Sequence, residues 1–157
     1  RQMGLEQPVV MPRVGMMKAF RDLAAETGNG VLIPSSVDPT RPEVAQFFAD
    51  YAAKYGPLAI SASPAQGFDA GTLTVKVLSD AAVQAAIAGG DLQTARDAII
   101  EATTRLGKFA GMQGQAGVGY DFAASHHGAP DAKFFVFVAV ADDGKSLVGV
   151  DPASLKK

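Results

Sequence analysis

A chain of 157 residues with 48% hydrophobic and 19% charged positions can bury one substantial core and is too apolar to remain disordered. Its formal net charge of −2, with fourteen Lys and Arg spread along the chain, offers no basic stripe for phosphates and argues against a nucleic-acid partner. The absence of cysteine excludes a disulfide, a thiolate nucleophile and any Cys-based zinc or iron–sulfur centre, and the apolar runs are too short to insert into a membrane.

The chain is expected to form a single globular domain over 1–157, with 1–13 as an extended N-terminal arm. It starts Arg1-Gln2-Met3, which reads as a processed or excised product and tilts localisation toward the outside of the cytoplasm. A helix is expected over 14–27, where Met16, Phe20, Leu23 and Ala24 share a face and Gly28 supplies the stop. VLIP at 31–34 reads as a buried strand. Thr40-Arg41-Pro42-Glu43 has the spacing of a capping box, and Val44, Phe47, Phe48, Tyr51 and Tyr55 form the stripe of the helix that follows, ended by Gly56-Pro57. LAISAS at 58–63 alternates as a strand does, so that strand, helix and strand predict a right-handed parallel crossover.

After a turn-rich PAQGFDAG link, TLTVKVL at 72–78 places Leu73, Val75 and Val77 on one face of a further strand. Asp80 is positioned to cap a short helix reaching 88, and Asp91 a longer one with Leu92, Ala95, Ile99, Ala102, Leu106 and Phe109 on its apolar side. VGYDFA, KFFVFVAVA and SLVGVD read as three closing strands, the last two joined by the hairpin signal Asp142-Asp143-Gly144-Lys145. Together these elements predict an α+β fold, or a mixed α/β one: a single twisted, mostly antiparallel sheet of five to six strands with about three helices packed on it.

The candidate chemistry lies in 111–130. GMQGQAGVG leaves a helix and enters a strand, the reverse of a phosphate-cradling loop, and so reads as a hinge-like or partner-facing connection with Gly114 and Gly117 either highly mobile or at positive φ. His126 and His127 are adjacent, so on a strand they face opposite ways and one at most serves a site. With Asp121 and Tyr120 they form the candidate acid/base set, set against an exposed turn as the plainer reading. No G-x-S-x-G, H-E-x-x-H or EF-hand spacing appears, so no cofactor and no metal are expected.

VLIPSSVDPTRPEVAQFFADYAAKYGPLAISAS resembles the strand, active-site loop, helix and strand of thioredoxin-like proteins over 33 residues. The resemblance puts Asp38 and Arg41 at the two redox-cysteine positions, which implies that thiol chemistry is absent, and the pattern does not continue past Ser63. The functional expectation is a non-catalytic binding or assembly domain, the soluble part of a bacterial envelope or surface assembly, with a protein partner or self-association. The alternative is a small acid/base enzyme or small-ligand-binding domain that uses a histidine at 126–127.

Overall fold

The computed structural model describes residues 7–58, 61–123, 128, 132–151 and 154. Its spine is a three-stranded antiparallel sheet in the order β1 (Leu32–Ser35), β4 (Val136–Val140), β5 (Leu147–Val150), and a separate two-stranded pair joins β2 (Lys108–Phe109) to β3 (Tyr120–Asp121). Five α-helices accompany them among the described residues: α1 (Lys18–Ala24), α2 (Pro42–Tyr55), α3 (Ala62–Leu78), α4 (Ala81–Ala88) and α5 (Leu92–Leu106). The fold is therefore mixed α+β, but its strands are divided between two small sheets, and helix replaces strand where the sequence pattern predicted a larger single sheet.

The largest departure is α3. The alternation of Leu73, Val75 and Val77 suggests a strand, yet the residues turned inward are Ala62, Ala65, Asp69, Leu73 and Val77, a three-and-four spacing that marks one helical face. Pro64 fits because the first helical turn needs no donor from it. Helix at Ala62 also removes the second strand of the expected parallel crossover, of which Ala59 and Ile60 lie outside the described residues. β1 instead pairs antiparallel with β4, Ile33 opposite Val138. The thioredoxin-like likeness fails at the same place, since its second strand is absent from 62 onward.

Other elements keep their places with local corrections. The 14–27 helix breaks at Met17, whose extended backbone separates a 3₁₀ turn (Arg13–Met16) from α1, and Leu23 points to solvent at 89% exposure. α2 starts at Pro42 without a side-chain cap: the Thr40 hydroxyl donates to Asp38 Oδ1, and Glu43 pairs with Arg41. Val44 and Phe48 are buried on α2, whereas Tyr51 and Tyr55 are exposed. The caps of α4 and α5 form as expected, Asp80 accepting from Ala82 N at 2.9 Å and Asp91 from Thr94 N at 2.7 Å. In the β4–β5 turn, Asp143 takes the N–H groups of Lys145 and Ser146 and the Ser146 hydroxyl, which holds its carboxyl at about 2, below the usual range.

Three apolar clusters make the interior. Met16, Val31, Ile33, Val138 and Val140 bind the first 3₁₀ turn to the larger sheet. Val37, Val44, Phe48, Ala62 and Ala65 lock α2 to the start of α3, and Val77, Val83 and Ala102 close the α3–α4–α5 hairpins. Among the described residues no helix is long and apolar enough to cross a membrane.

Candidate functional site

The glycine-rich segment is held from both sides. From α2's N-cap, the buried Arg41 guanidinium donates to the carbonyls of Gly114 (2.8 Å), Gln113 (3.2 Å) and Gly111 (3.1 Å). Its remaining edge meets Glu43 Oε1 at 2.8 and 3.0 Å. From α3, the Asp69 carboxylate accepts the backbone N–H groups of Met112 (2.6 Å) and Gln113 (3.1 Å). A planar cation with five donors reads successive carbonyls and a carboxylate reads the amides between them, so the 111–114 backbone is clamped at both polarities.

The glycines are requirements of that clamp. A Cβ on Gly111 would lie 2.4 Å from Asp69 Oδ2, and one on Gly119 would lie 2.4 Å from the Phe109 carbonyl oxygen. Gly114 (φ 91°) and Gly117 (φ 75°) adopt the expected positive φ, with Gly114 N bonded to the Ser36 carbonyl at 2.8 Å. These bonds make the first half of the segment a tied loop, in contrast to the hinge that its composition suggests.

What the clamp positions is Gln113, buried on a polar relay. Its Oε1 accepts from Ser36 Oγ at 2.6 Å, while its Nε2 donates to Tyr120 Oη and lies 3.4 Å from Asp69 Oδ2. Tyr120 Oη in turn donates to Asp69 at 3.3 Å. Burial, then the adjacent Asp69 charge, pushes the Tyr120 hydroxyl far above its ordinary value, so it is a fixed neutral donor.

This relay borders a cavity of about 690 Å³ between the β1 end, α3 and the loop. Its apolar wall is aromatic: Phe109, Tyr120, Phe122, Phe134 and Phe135. Tyr120 is the centre of that wall, stacked on Phe122 (5.8 Å, 10°) and Phe109 (5.9 Å, 28°) and tilted against Phe134 (5.0 Å). Arg13 and Gln66 also line it, joined at 2.8 Å. A second groove of about 930 Å³ runs along Phe47, Tyr51, Tyr55 and Phe68, and the Gln46–Asp50 hydrogen bond on it is exposed, not buried.

Of the residues singled out from the sequence, Tyr120 belongs to the cavity wall. Asp121, next on β3, is not among the cavity's lining residues, and its carboxylate accepts Ala123 N at 3.0 Å. His126 and His127 lie outside the described residues. Sequence reasoning missed Asp69, Arg41, Gln113 and Ser36 as a unit. The available signal was the combination of a glycine loop, whose carbonyls and amides need partners, with an Asp and an Arg at otherwise unexplained positions. Among the described residues no group of three or more His, Asp and Glu is placed to hold a metal ion.

No protein-family model matches the chain, and no curated protein matches it. Solved structures do. An extracellular ligand-binding receptor from Rhodopseudomonas palustris HaA2 is similar at 23% identity and a TM-score of 0.72, covering 96% of this chain and 43% of the receptor. An ABC transporter substrate-binding protein from Desulfitobacterium hafniense aligns at 19% identity and a TM-score of 0.63, over 95% of this chain and 37% of that one. A periplasmic binding protein type 1 from Bordetella pertussis Tohama I aligns at 18% and 0.61, over 95% and 40%. The chain thus shares the fold of part of these ligand- and substrate-binding proteins, and it spans about two-fifths of their length.

Proposed function

We propose that this chain supplies a small-molecule-binding part of an extracytoplasmic receptor of the kind that hands its ligand to a transporter. The observation that carries the reading is the Ser36–Gln113–Tyr120 relay, fixed by Asp69, against an aromatic-walled cavity of about 690 Å³. Small-molecule sites have this composition: mostly apolar walls of roughly 300–1,000 Å³ with a few polar groups already oriented. The shared fold adds analogy, which bears on the transporter partner and on the extracytoplasmic location.

This reading replaces protein assembly as the primary role, and it keeps the non-catalytic character of that first expectation. The acid/base alternative has less support from the cavity itself. Tyr120 is held protonated as a donor, Asp121 is not among the lining residues, and the two histidines lie outside the described residues.

A thermal-denaturation screen against small organic molecules tests the proposal. A true ligand at a hundred times its Kd stabilises the fold by about 2.7 kcal/mol, which raises Tm by about 5–10 °C for a chain of this size. The same ligand should have a much smaller effect on a folded Gln113→Ala variant. A ligand whose shift survives that substitution unchanged would place binding elsewhere.

A further inference from the structure

The cavity's charge inventory restricts what it can hold. Among the described residues its only acidic lining residue is Asp69, which is 2% exposed and accepts from Met112 N, Gln113 N, Gln113 Nε2 and Tyr120 Oη. At 2% exposure, and with Oδ2 alone taking three of these bonds, that carboxylate presents almost none of itself to a ligand ammonium group. Among the described residues the only cationic one lining it is Arg13, which is exposed and makes one hydrogen bond, to Gln66 Oε1. Most of the guanidinium fork is therefore open, and Gln66 Nε2 stands beside it as a further donor without a partner among the described residues. Arg13 and Gln66 offer the cavity donors and positive charge, and its aromatic residues offer ring faces.

On the reading that this cavity is the ligand site, we propose that its ligand is an aromatic monocarboxylate without an ammonium group. The carboxylate sits on Arg13 and Gln66, where a guanidinium fork matches two carboxylate oxygens. The ring lies against Phe109, Phe122, Phe134 and Phe135, in the offset and edge-on arrangements that aromatic faces favour. A zwitterionic amino acid is disfavoured at this site because its ammonium group would be desolvated opposite donors and rings, with no open carboxylate among the described lining residues to receive it. A purely aliphatic acid keeps the Arg13 contact but loses the ring-to-ring contribution.

Titration calorimetry of the chain with 3-phenylpropionate, 3-phenylpropionamide, L-phenylalanine and hexanoate tests this. Side-chain amide resonances of Gln113 report whether each compound occupies the cavity. The expected order has 3-phenylpropionate binding at least tenfold more tightly than the amide, L-phenylalanine or hexanoate, with the Gln113 amide shifting. Arg13→Gln should remove the tenfold preference of acid over amide and leave the amide's affinity unchanged, whereas Arg13→Lys should retain part of the preference. L-Phenylalanine or the amide binding as tightly as the acid, with the Gln113 signal moving, overturns the ligand class and leaves the site standing. If none of the four moves Gln113 in a folded chain, the site reading falls and the ligand class falls with it.

Discussion

Replacing Asp69 by Asn exchanges one carboxylate oxygen for an NH2 group and removes the one group able to accept from every donor around it. The carboxylate lies at 2.6 Å from Met112 N, 3.1 Å from Gln113 N, 3.4 Å from Gln113 Nε2 and 3.3 Å from Tyr120 Oη. An Asn keeps a single oxygen, so its amide nitrogen must face some of these donors. Tyr120 can rotate its hydroxyl and Gln113 can flip its side chain, with Ser36 Oγ changing from donor to acceptor. The backbone N–H groups of Met112 and Gln113 cannot adapt, and one of them loses its partner. An unsatisfied buried donor costs about 1–3 kcal/mol, and weakening the remaining charge-assisted bonds to neutral ones adds about 1 kcal/mol. Removing a buried charge returns part of that sum, leaving an expected loss of about 2–3 kcal/mol. Urea denaturation followed by circular dichroism measures it as a lower midpoint at unchanged m-value. A D69N midpoint matching the parent would refute the clamp as a stabilising unit.

Tyr120 ties stability to alkaline pH, because its folded-state value is raised by burial and by Asp69 above the ordinary phenol value of about 10. The neutral form is favoured on folding, so the Tyr120 contribution is intact below pH ~10 and declines above it, by at most about 1.4 kcal/mol per pH unit. Tyr120→Phe should remove that slope from a stability-versus-pH curve, and an unchanged slope would assign it to other groups. Gly111→Ala should destabilise by about 1–3 kcal/mol because its Cβ meets the Asp69 carboxylate. Gly71→Ala, on α3 with open space around it, should stabilise by about 0.5–1 kcal/mol, and the reverse order of the two would contradict the placement of both segments. The Asp143 carboxyl should titrate near 2 by carbon-detected NMR, with its contribution to the hairpin present above the ordinary Asp range and lost as pH falls toward 2. Ser146→Ala should move that titration upward, and a value unaffected by the substitution would contradict the turn geometry.

The elements legible in the sequence are those whose signal is local. Asp80 and Asp91 announce α4 and α5 because a cap bonds two or three residues ahead, and the Asp143-Gly144 turn joins strands on either side of it. Misread elements depend on a longer window or on distant partners. Over seven residues the Leu73–Val75–Val77 alternation mimics a strand, and only the run from Ala62 to Val77 exposes the helical period. Gly67 and Gly71 hide that run by resembling turn residues, although each sits within α3. The pairing of β1 with β4 joins segments about a hundred residues apart, for which neither strand's pattern names a partner. In the site, the glycine loop and Tyr120 drew attention by composition, whereas the Arg41–Gln113 and Asp69–Gln113 bonds span 72 and 44 residues. Thr40 shows the converse limit, since its capping-box spacing is complete and its hydroxyl is nevertheless engaged by Asp38.

The central claim is that the aromatic cavity beside the clamped loop is where this chain takes a small molecule. Protein-observed NMR with the strongest compound from the thermal screen tests it most directly, because every described backbone amide reports its own surroundings. The account predicts saturable shifts concentrated at Ser36, Gln113, Tyr120 and Phe134, around the cavity of about 690 Å³. Shifts confined instead to Phe47, Tyr51, Tyr55 and Phe68, along the open groove of about 930 Å³ on α2, with Gln113 and Tyr120 unmoved, would contradict it.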